Sequence, residues 1–179
     1  GVGVLYGRLP WEQHRALQQG GDTINHYDFS GNIDFKEGPT KHEPGTLNIA
    51  GILGIGVAAE YIKWVGYNEI TRHMNKIDLA LSDAGLFDIK GLKLIYPNFR
   101  QNGRYVYSFV CEGFHPSDLS AMVSLDGIAV RAGKLCAHPI VNKLSGGKGV
   151  IRVSPGMYTE TEDINKLVEG LCKAVKRIT

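Results

Sequence analysis

Ile164, Leu167, Val168, Leu171, Val175 and Ile178 recur at spacings of three and four, which lays an apolar stripe along one face of a helix. A stripe this long is stable only when something covers it, so it constrains the fold more tightly than any other feature of the chain. Thr159 and Glu162 have the spacing of a capping box at its start. Upstream, the patterning supplies partners. Residues 49 to 65 read as a helix with Leu53, Val57, Tyr61, Ile62 and Val65 on one stripe. A second helix follows Asn68 as N-cap, with Ile70, Met74, Ile77, Leu81 and Ala84 on its stripe. Leu92 to Tyr96 and Tyr105 to Val110 read as strands joined by a turn over Asn98 to Gly103. A short helix opens at Pro116-Ser117 and runs through Val123, and further strands are expected at Ile128 to Arg131 and Val150 to Val153. Strands and helices are mixed without strict alternation, which favours an α+β fold with an antiparallel sheet over a doubly wound one.

The N-terminal part reads differently. Val2, Val4, Leu5 and Tyr6 look like a strand entered with no preceding cap or polar tail, so a fragment or a split chain is expected. Residues 8 to 48 are rich in glycine and proline (Gly20-Gly21, Gly31, Gly38-Pro39, Pro44-Gly45) and have only short apolar runs. So long a stretch of irregular chain is uncommon in a compact domain and is often functional.

Composition excludes several classes of function. The chain has 179 residues, 43% apolar and 21% charged, which suits a packed domain rather than disorder. A net charge of +2 gives no reason to expect a nucleic acid or a membrane surface as partner. No run of eighteen apolar residues is present. The three cysteines, Cys111, Cys136 and Cys172, are too few and too widely spaced for a disulfide scaffold or a zinc motif, and a reducing cytoplasm is the expected setting. The six histidines show no i, i+4 pairing, so no metal site is expected. Gly51, Gly54 and Gly56 give the reverse of the dinucleotide fingerprint, and Gly146-Gly147-Lys148-Gly149 lacks the hydroxyl residue of a phosphate loop.

Chemistry concentrates between Gly127 and Ser154. Cys136 sits among Arg131, Lys134 and His138, and nearby cations favour the thiolate, the nucleophilic form. The alternative is a buried core cysteine, but the polar, glycine-bearing flanks ending at Pro139 point to an exposed loop. Cys111 and Cys172 read as structural. Arg152 interrupts an apolar strand and needs a partner: either a structural ion pair or the two-pronged grip of a substrate carboxylate. Spacing leaves both open. The segment Glu43-Pro44-Gly45-Thr46-Leu47-Asn48 can face an anion, although a plain capping turn with Asn48 as cap is the simpler reading.

Taken together, these segments resemble the class-V aminotransferase family of pyridoxal-phosphate enzymes, above all its cysteine desulfurases, with selenocysteine lyase nearby. Gly1 to Gly7 resembles the strand after the cofactor lysine, and Gln19-Gly20-Gly21-Asp22 the glycine-rich turn. His42 to Asn48 resembles the F-E-x-G-T-x-N segment. Arg131 to Pro139 resembles the R-x-G-x-x-C-A-x-P loop, and Val150 to Ser154 the strand bearing the carboxylate-binding arginine. The resemblance implies the C-terminal small domain of a fold-type I transferase over residues 51–179, preceded by a remnant of the large domain over 1–50. It implies that Cys136 takes sulfur from L-cysteine as a persulfide while L-alanine leaves, on a mobile loop that carries the sulfur to an acceptor protein, as in iron–sulfur cluster assembly. It implies that Arg152 holds the substrate carboxylate and that Arg131 orients the loop. Thr46 is implied to reach the pyridoxal phosphate of the opposite subunit of a homodimer, with Gly20 and Gly21 at the same interface.

The chain departs from the pattern at three places. The cofactor lysine is expected just before Gly1, so the chain alone is expected to be inactive. Lys134-Leu135 stands where the family has His-His, and His42 where it has Phe. Two other readings remain: another class-V enzyme in which Cys136 does not accept sulfur, and a non-catalytic module for dimerisation or docking.

Overall fold

The computed structural model describes residues 1–8, 10–16, 18–96 and 105–178. The turn expected over Asn98 to Gly103 lies outside them. The chain forms two compact units, Gly1–Trp64 and Val65–Thr179.

The first unit holds a two-stranded antiparallel hairpin, β1 (Ile24–Tyr27) and β2 (Ile33–Phe35), then a short 3-10 turn at Gly38–His42 and the helix α1 (Ile49–Val65). The hairpin is an element that the loop-rich reading of residues 8 to 48 did not contain. Its turn is organised by Asp28, whose carboxylate accepts from the amides of Ser30 and Asn32 and from both of their side chains. Those four hydrogen bonds stabilise the charged form, and the Asp28 carboxyl falls to about 2. Val2 to Tyr6 form no strand, and Val4, Leu5 and Tyr6 are exposed. A strand needs a ladder partner for its N–H and C=O groups, and no described segment supplies one there. α1 begins as expected: Asn48 Oδ1 accepts from the Gly51 amide at 3.0 Å. Gly51 makes that cap possible, because a Cβ there would stand 2.6 Å from the Asn48 side chain.

The second unit is a four-stranded sheet in the order β3-β4-β6-β5, antiparallel throughout, made of β3 (Leu92–Leu94), β4 (Tyr107–Cys111), β5 (Arg131–Gly133) and β6 (Val150–Val153). Along β4, Tyr107, Phe109 and Cys111 are buried and Ser108 and Val110 only half-buried. This is the period of two that sends alternate side chains to opposite faces. One face meets α2 (Tyr67–Asp83), α3 (Pro116–Leu125) and α5 (Thr161–Ile178) in a single core. The stripe of α5 closes it: Ile164, Leu167, Val168, Leu171 and Val175 are all buried, each large side chain worth about 1.5–3 kcal/mol. From α2, Met74, Ile77 and Leu81 join them.

Four local expectations change. The cap of α2 is Gly66, at φ 87°, and not Asn68. Thr159 does not cap α5: its hydroxyl accepts from the Gly156 amide, while the Glu160 amide donates to Asp163 Oδ2 at 2.9 Å. The strand expected at Ile128 to Arg131 starts later, at Arg131, because pairing with β6 sets its register through Ala132 opposite Ile151; Ile128 instead packs over Gly170 of α5. Finally, the exposed loop expected around Cys136 as far as Pro139 gives way at His138 to a helix, α4 (His138–Ser145).

Candidate active site

Cys136 lies in a tight turn between β5 and α4. The Ala137 amide donates to the Lys134 carbonyl at 2.9 Å, so Leu135 and Cys136 are the two central residues. Both have left-handed backbone, at φ 54° and 58°. For residues with a Cβ this costs about 1–2 kcal/mol each, and such outliers collect at functional sites. Pro139 then occupies the first turn of α4, where its missing N–H is harmless. The thiol of Cys136 is exposed. By contrast Cys111 is buried in β4, and desolvation pushes its thiol up to about 11. The exposed position expected of Cys136 and the structural one expected of Cys111 are therefore observed.

The cationic flank is only partly as expected. The Lys134 ammonium donates to the Asn142 side chain and to the Gly147 carbonyl. The turn that carries Cys136 is short and is tied by Lys134 to the helix that follows it.

Arg152 stands on β6 between buried Ile151 and Val153, so its side chain leaves by the opposite face of the sheet from the helical core. There it pairs across the strands with Ser108 on one side and Arg131 on the other. Its Nε donates to Ser154 Oγ at 3.0 Å. Among the described residues no carboxylate lies within ion-pair distance of either arginine. Two guanidinium groups directly opposite one another repel, so the pair destabilises the sheet unless an anion joins it. Ser154 was not singled out from the sequence, although the Arg-x-Ser spacing puts both side chains on one face of the strand.

This face carries a concavity of about 300 Å³. Arg152, Ser108 and Val150 line it from the sheet, and Ile140, Val141 and Leu144 from α4. Leu135 and Ala137, the residues on either side of Cys136, line it too, with Ile95, Tyr96 and Val106, while Cys136 itself is not among the lining residues. The pocket thus combines an apolar lining, one buried-edge cation and the flanks of an exposed thiol.

Gly20, Gly21 and Thr46 belong to the first unit, and the fold brings them together there. The Gly45 amide donates to the Gly21 carbonyl at 2.8 Å. Fully buried Thr23 donates its hydroxyl to the Gly20 carbonyl at 2.7 Å. Lys36 closes the turn on Asp22 at 2.7 Å and lowers the pKa of that carboxyl. His42 packs edge-on against Trp11, ring centroids 5.6 Å apart, and hydrogen-bonds its carbonyl at 3.2 Å, so it does the packing work of an aromatic residue.

The model of the class-V aminotransferase family matches residues 1–167. The chain belongs to the class-V aminotransferase family. Among its class-V relatives, a probable cysteine desulfurase of Halalkalibacterium halodurans is 36% identical over 176 residues, which is 97% of this chain and 41% of that protein. A cysteine desulfurase of Synechococcus elongatus is 35% identical over 99% of this chain and 27% of its own length. The crystal structure of the cysteine desulfurase CsdA from Escherichia coli superposes with a TM-score of 0.82 at 27% identity, covering 94% of this chain and 40% of that one. The chain therefore spans about two fifths or less of the class-V proteins it matches, and it is cysteine-desulfurase-like within the family.

Class-V enzymes work with pyridoxal phosphate, and the first unit fits the phosphate end of that group. Thr46 is exposed just after Gly45, whose φ is 81°, and among the described residues its hydroxyl has no hydrogen-bond partner. A free hydroxyl on a glycine-shaped turn ahead of a helix N-terminus suits an anion.

Proposed function

We propose that this chain is the sulfur-accepting and carboxylate-binding portion of a pyridoxal-phosphate-dependent cysteine desulfurase. The observation that carries the reading is the shared pocket: Arg152, which has no carboxylate partner among the described residues, and the two neighbours of exposed Cys136 line one concavity. Arg152 grips the carboxylate of L-cysteine, with Ser154 fixing the plane of its guanidinium through Nε. Arg131, opposite it across the strands, adds positive potential and orients the turn. The apolar wall from α4 excludes water from the substrate.

Cys136 then attacks the substrate sulfur as the thiolate. The carbon–sulfur bond breaks and a sulfur–sulfur bond forms. The electron pair of the broken bond stays on carbon, which takes up a proton to give L-alanine, and Cys136 holds a persulfide, so atoms and electrons balance without an outside oxidant. When bound, pyridoxal phosphate supplies the electron sink that makes this bond labile. Thr46, with the Gly20-Gly21 turn behind it, holds the phosphate, in a homodimer that shares its sites. A thiol on an acceptor protein takes the persulfide sulfur onward, in the reducing cytoplasm that three free cysteines suit.

The test uses the protein expressed from its full coding sequence, with pyridoxal phosphate, L-cysteine and a thiol acceptor. Equal amounts of alanine and sulfide are expected, and Cys136→Ala stops turnover. Unchanged turnover in Cys136→Ala, on cysteine or on another amino acid, overturns the reading in favour of a class-V enzyme in which this thiol is a bystander.

A further inference from the structure

We infer that Lys134 is a positioning residue: its ammonium clamps the Cys136 turn to α4 and holds the thiol between Leu135 and Ala137, both of which line the Arg152 pocket. The inference rests on Cys136 being the sulfur acceptor, as proposed above.

Four observations meet here. Lys134 opens the turn, and its own carbonyl receives the Ala137 amide. Its side chain crosses to α4 and donates to Asn142 within the helix and to the Gly147 carbonyl just past the helix end. A cation near a helix C-terminus also meets the negative end of the helix dipole. Secondly, the turn places two non-glycine residues in left-handed backbone, a conformation that persists only where surrounding contacts hold it. Thirdly, Leu135 lines the same pocket as Ile140, Val141 and Leu144 of α4, which gives the turn an apolar surround. Fourthly, the segment beyond α4 is itself locked: Ser145 Oγ donates to the Val141 carbonyl and accepts from the Gly149 amide at 3.0 Å. Gly149 in turn lies so close to Gly133 of β5 that a Cβ would stand 3.0 Å from its backbone. Lys134 therefore ties the turn to a rigid frame.

The physical consequence is specific. A flexible arm finds its reactive geometry by search, whereas a clamped turn keeps the sulfur near one place, and orientation of reacting groups governs the rate. Loss of the clamp should slow sulfur transfer, with substrate binding by Arg152 left in place. An imidazole is shorter than a lysine side chain and cannot span both acceptors, so the pair Lys134-Leu135 replaces proton-bearing side chains with a polar clamp and an apolar plug.

Lys134→Met keeps the length and removes the donor; Lys134→Arg restores a donor that reaches two acceptors. In this chain, Lys134→Met should speed amide exchange at Ala137 about tenfold or more, while Phe109 and Ile151 exchange as before, and Lys134→Arg should return Ala137 to within about twofold. In the protein from the full coding sequence, Lys134→Met should lower kcat about tenfold with the KM for cysteine unchanged, again rescued by arginine. Asn142→Ala, which removes a single acceptor, gives a milder change in the same direction and serves if Lys134→Met does not fold. Unaltered exchange at Ala137 in these variants, or equal loss in the methionine and arginine forms, overturns the clamp. If Cys136→Ala stays active, the sulfur-acceptor reading fails, and the exchange data then still report whether the clamp exists.

Discussion

Arg152→Gln separates the two roles that an arginine inside an apolar strand can have. If it were half of a buried ion pair, its removal would strand a carboxylate and cost about 3–5 kcal/mol. The structure has no such carboxylate: among the described residues Arg152 meets Ser154 through Nε and faces Arg131 across the strands. Removing it ends a like-charge cross-strand contact, a relief of about 0.2–1 kcal/mol, and loses one neutral-acceptor hydrogen bond of similar size. The two effects nearly cancel, so the folding stability of Arg152→Gln should lie within about 1 kcal/mol of the parent. For a carboxylate held by a guanidinium, the lost charge-assisted bonds are worth about 1.5–3 kcal/mol, on the order of a 10- to 100-fold rise in the KM for cysteine. The assays are urea unfolding of the chain followed by circular dichroism, and initial rates for the protein from its full coding sequence. A drop in stability of about 3 kcal/mol or more with an unaltered KM would refute the reasoning and return Arg152 to a structural role.

Iodoacetamide at pH 8 should label exposed Cys136 long before Cys111: a thiol raised from 9.0 to about 11 is ~100-fold poorer in thiolate, before burial slows it further, and peptide mapping of the time course reads the order. The same raised thiol makes stability depend on pH. Its contribution is fully present below pH 9, where folded and unfolded thiols are both protonated, and is lost as pH climbs toward about 11, so the urea midpoint should fall across that window, and fall less steeply in Cys111→Ala. Asp28 acts with the opposite sign. Its lowered carboxyl favours the folded hairpin above pH 3.8 and stops doing so as pH falls through about 2, and Asp28→Ala should deprotect the Ser30 and Asn32 amides in hydrogen exchange while leaving the second unit unchanged. Leu81→Ala, at a fully buried position on α2, should cost about 2–5 kcal/mol in urea unfolding; a loss under about 1 kcal/mol would contradict the packing described.

Apart from α1, read at its observed bounds although its stripe residues Leu53, Val57 and Tyr61 are exposed, the elements legible in the sequence were those whose periodicity matches their burial. The stripes of α2 and α5 read directly because each helix buries a single face. Val150 to Val153 read as a strand from apolar content and is one. The elements that escaped are those held by hydrogen bonds from single side chains or by partners distant in sequence. The β1–β2 hairpin rests on Asp28, Ser30 and Asn32, three polar residues that otherwise spell only loop. β5 starts at Arg131 because β6 dictates its register, which no local pattern around Ile128 encodes. Conversely, Val2 to Tyr6 has the side chains of a strand and no ladder, since β propensity describes a surface that fits a sheet and does not create the sheet.

The candidate site divides along the same line. The thiol, the guanidinium and the glycine-rich turn were legible as residue types in a family order. Their environment was not, because it is made by α4, whose start is marked only by Pro139 and whose end only by Gly146 at φ 58°. Once α4 is in place, its apolar face becomes the wall of the Arg152 pocket, its Asn142 and the carbonyl beyond its end become the receptors for Lys134, and the turn leading into it is closed by the Ala137 amide on the Lys134 carbonyl. The exposed sulfur and the unpaired cation are then two consequences of one short helix laid against the back of the sheet. Any substitution that unwinds α4 should therefore disable both together, although it touches neither.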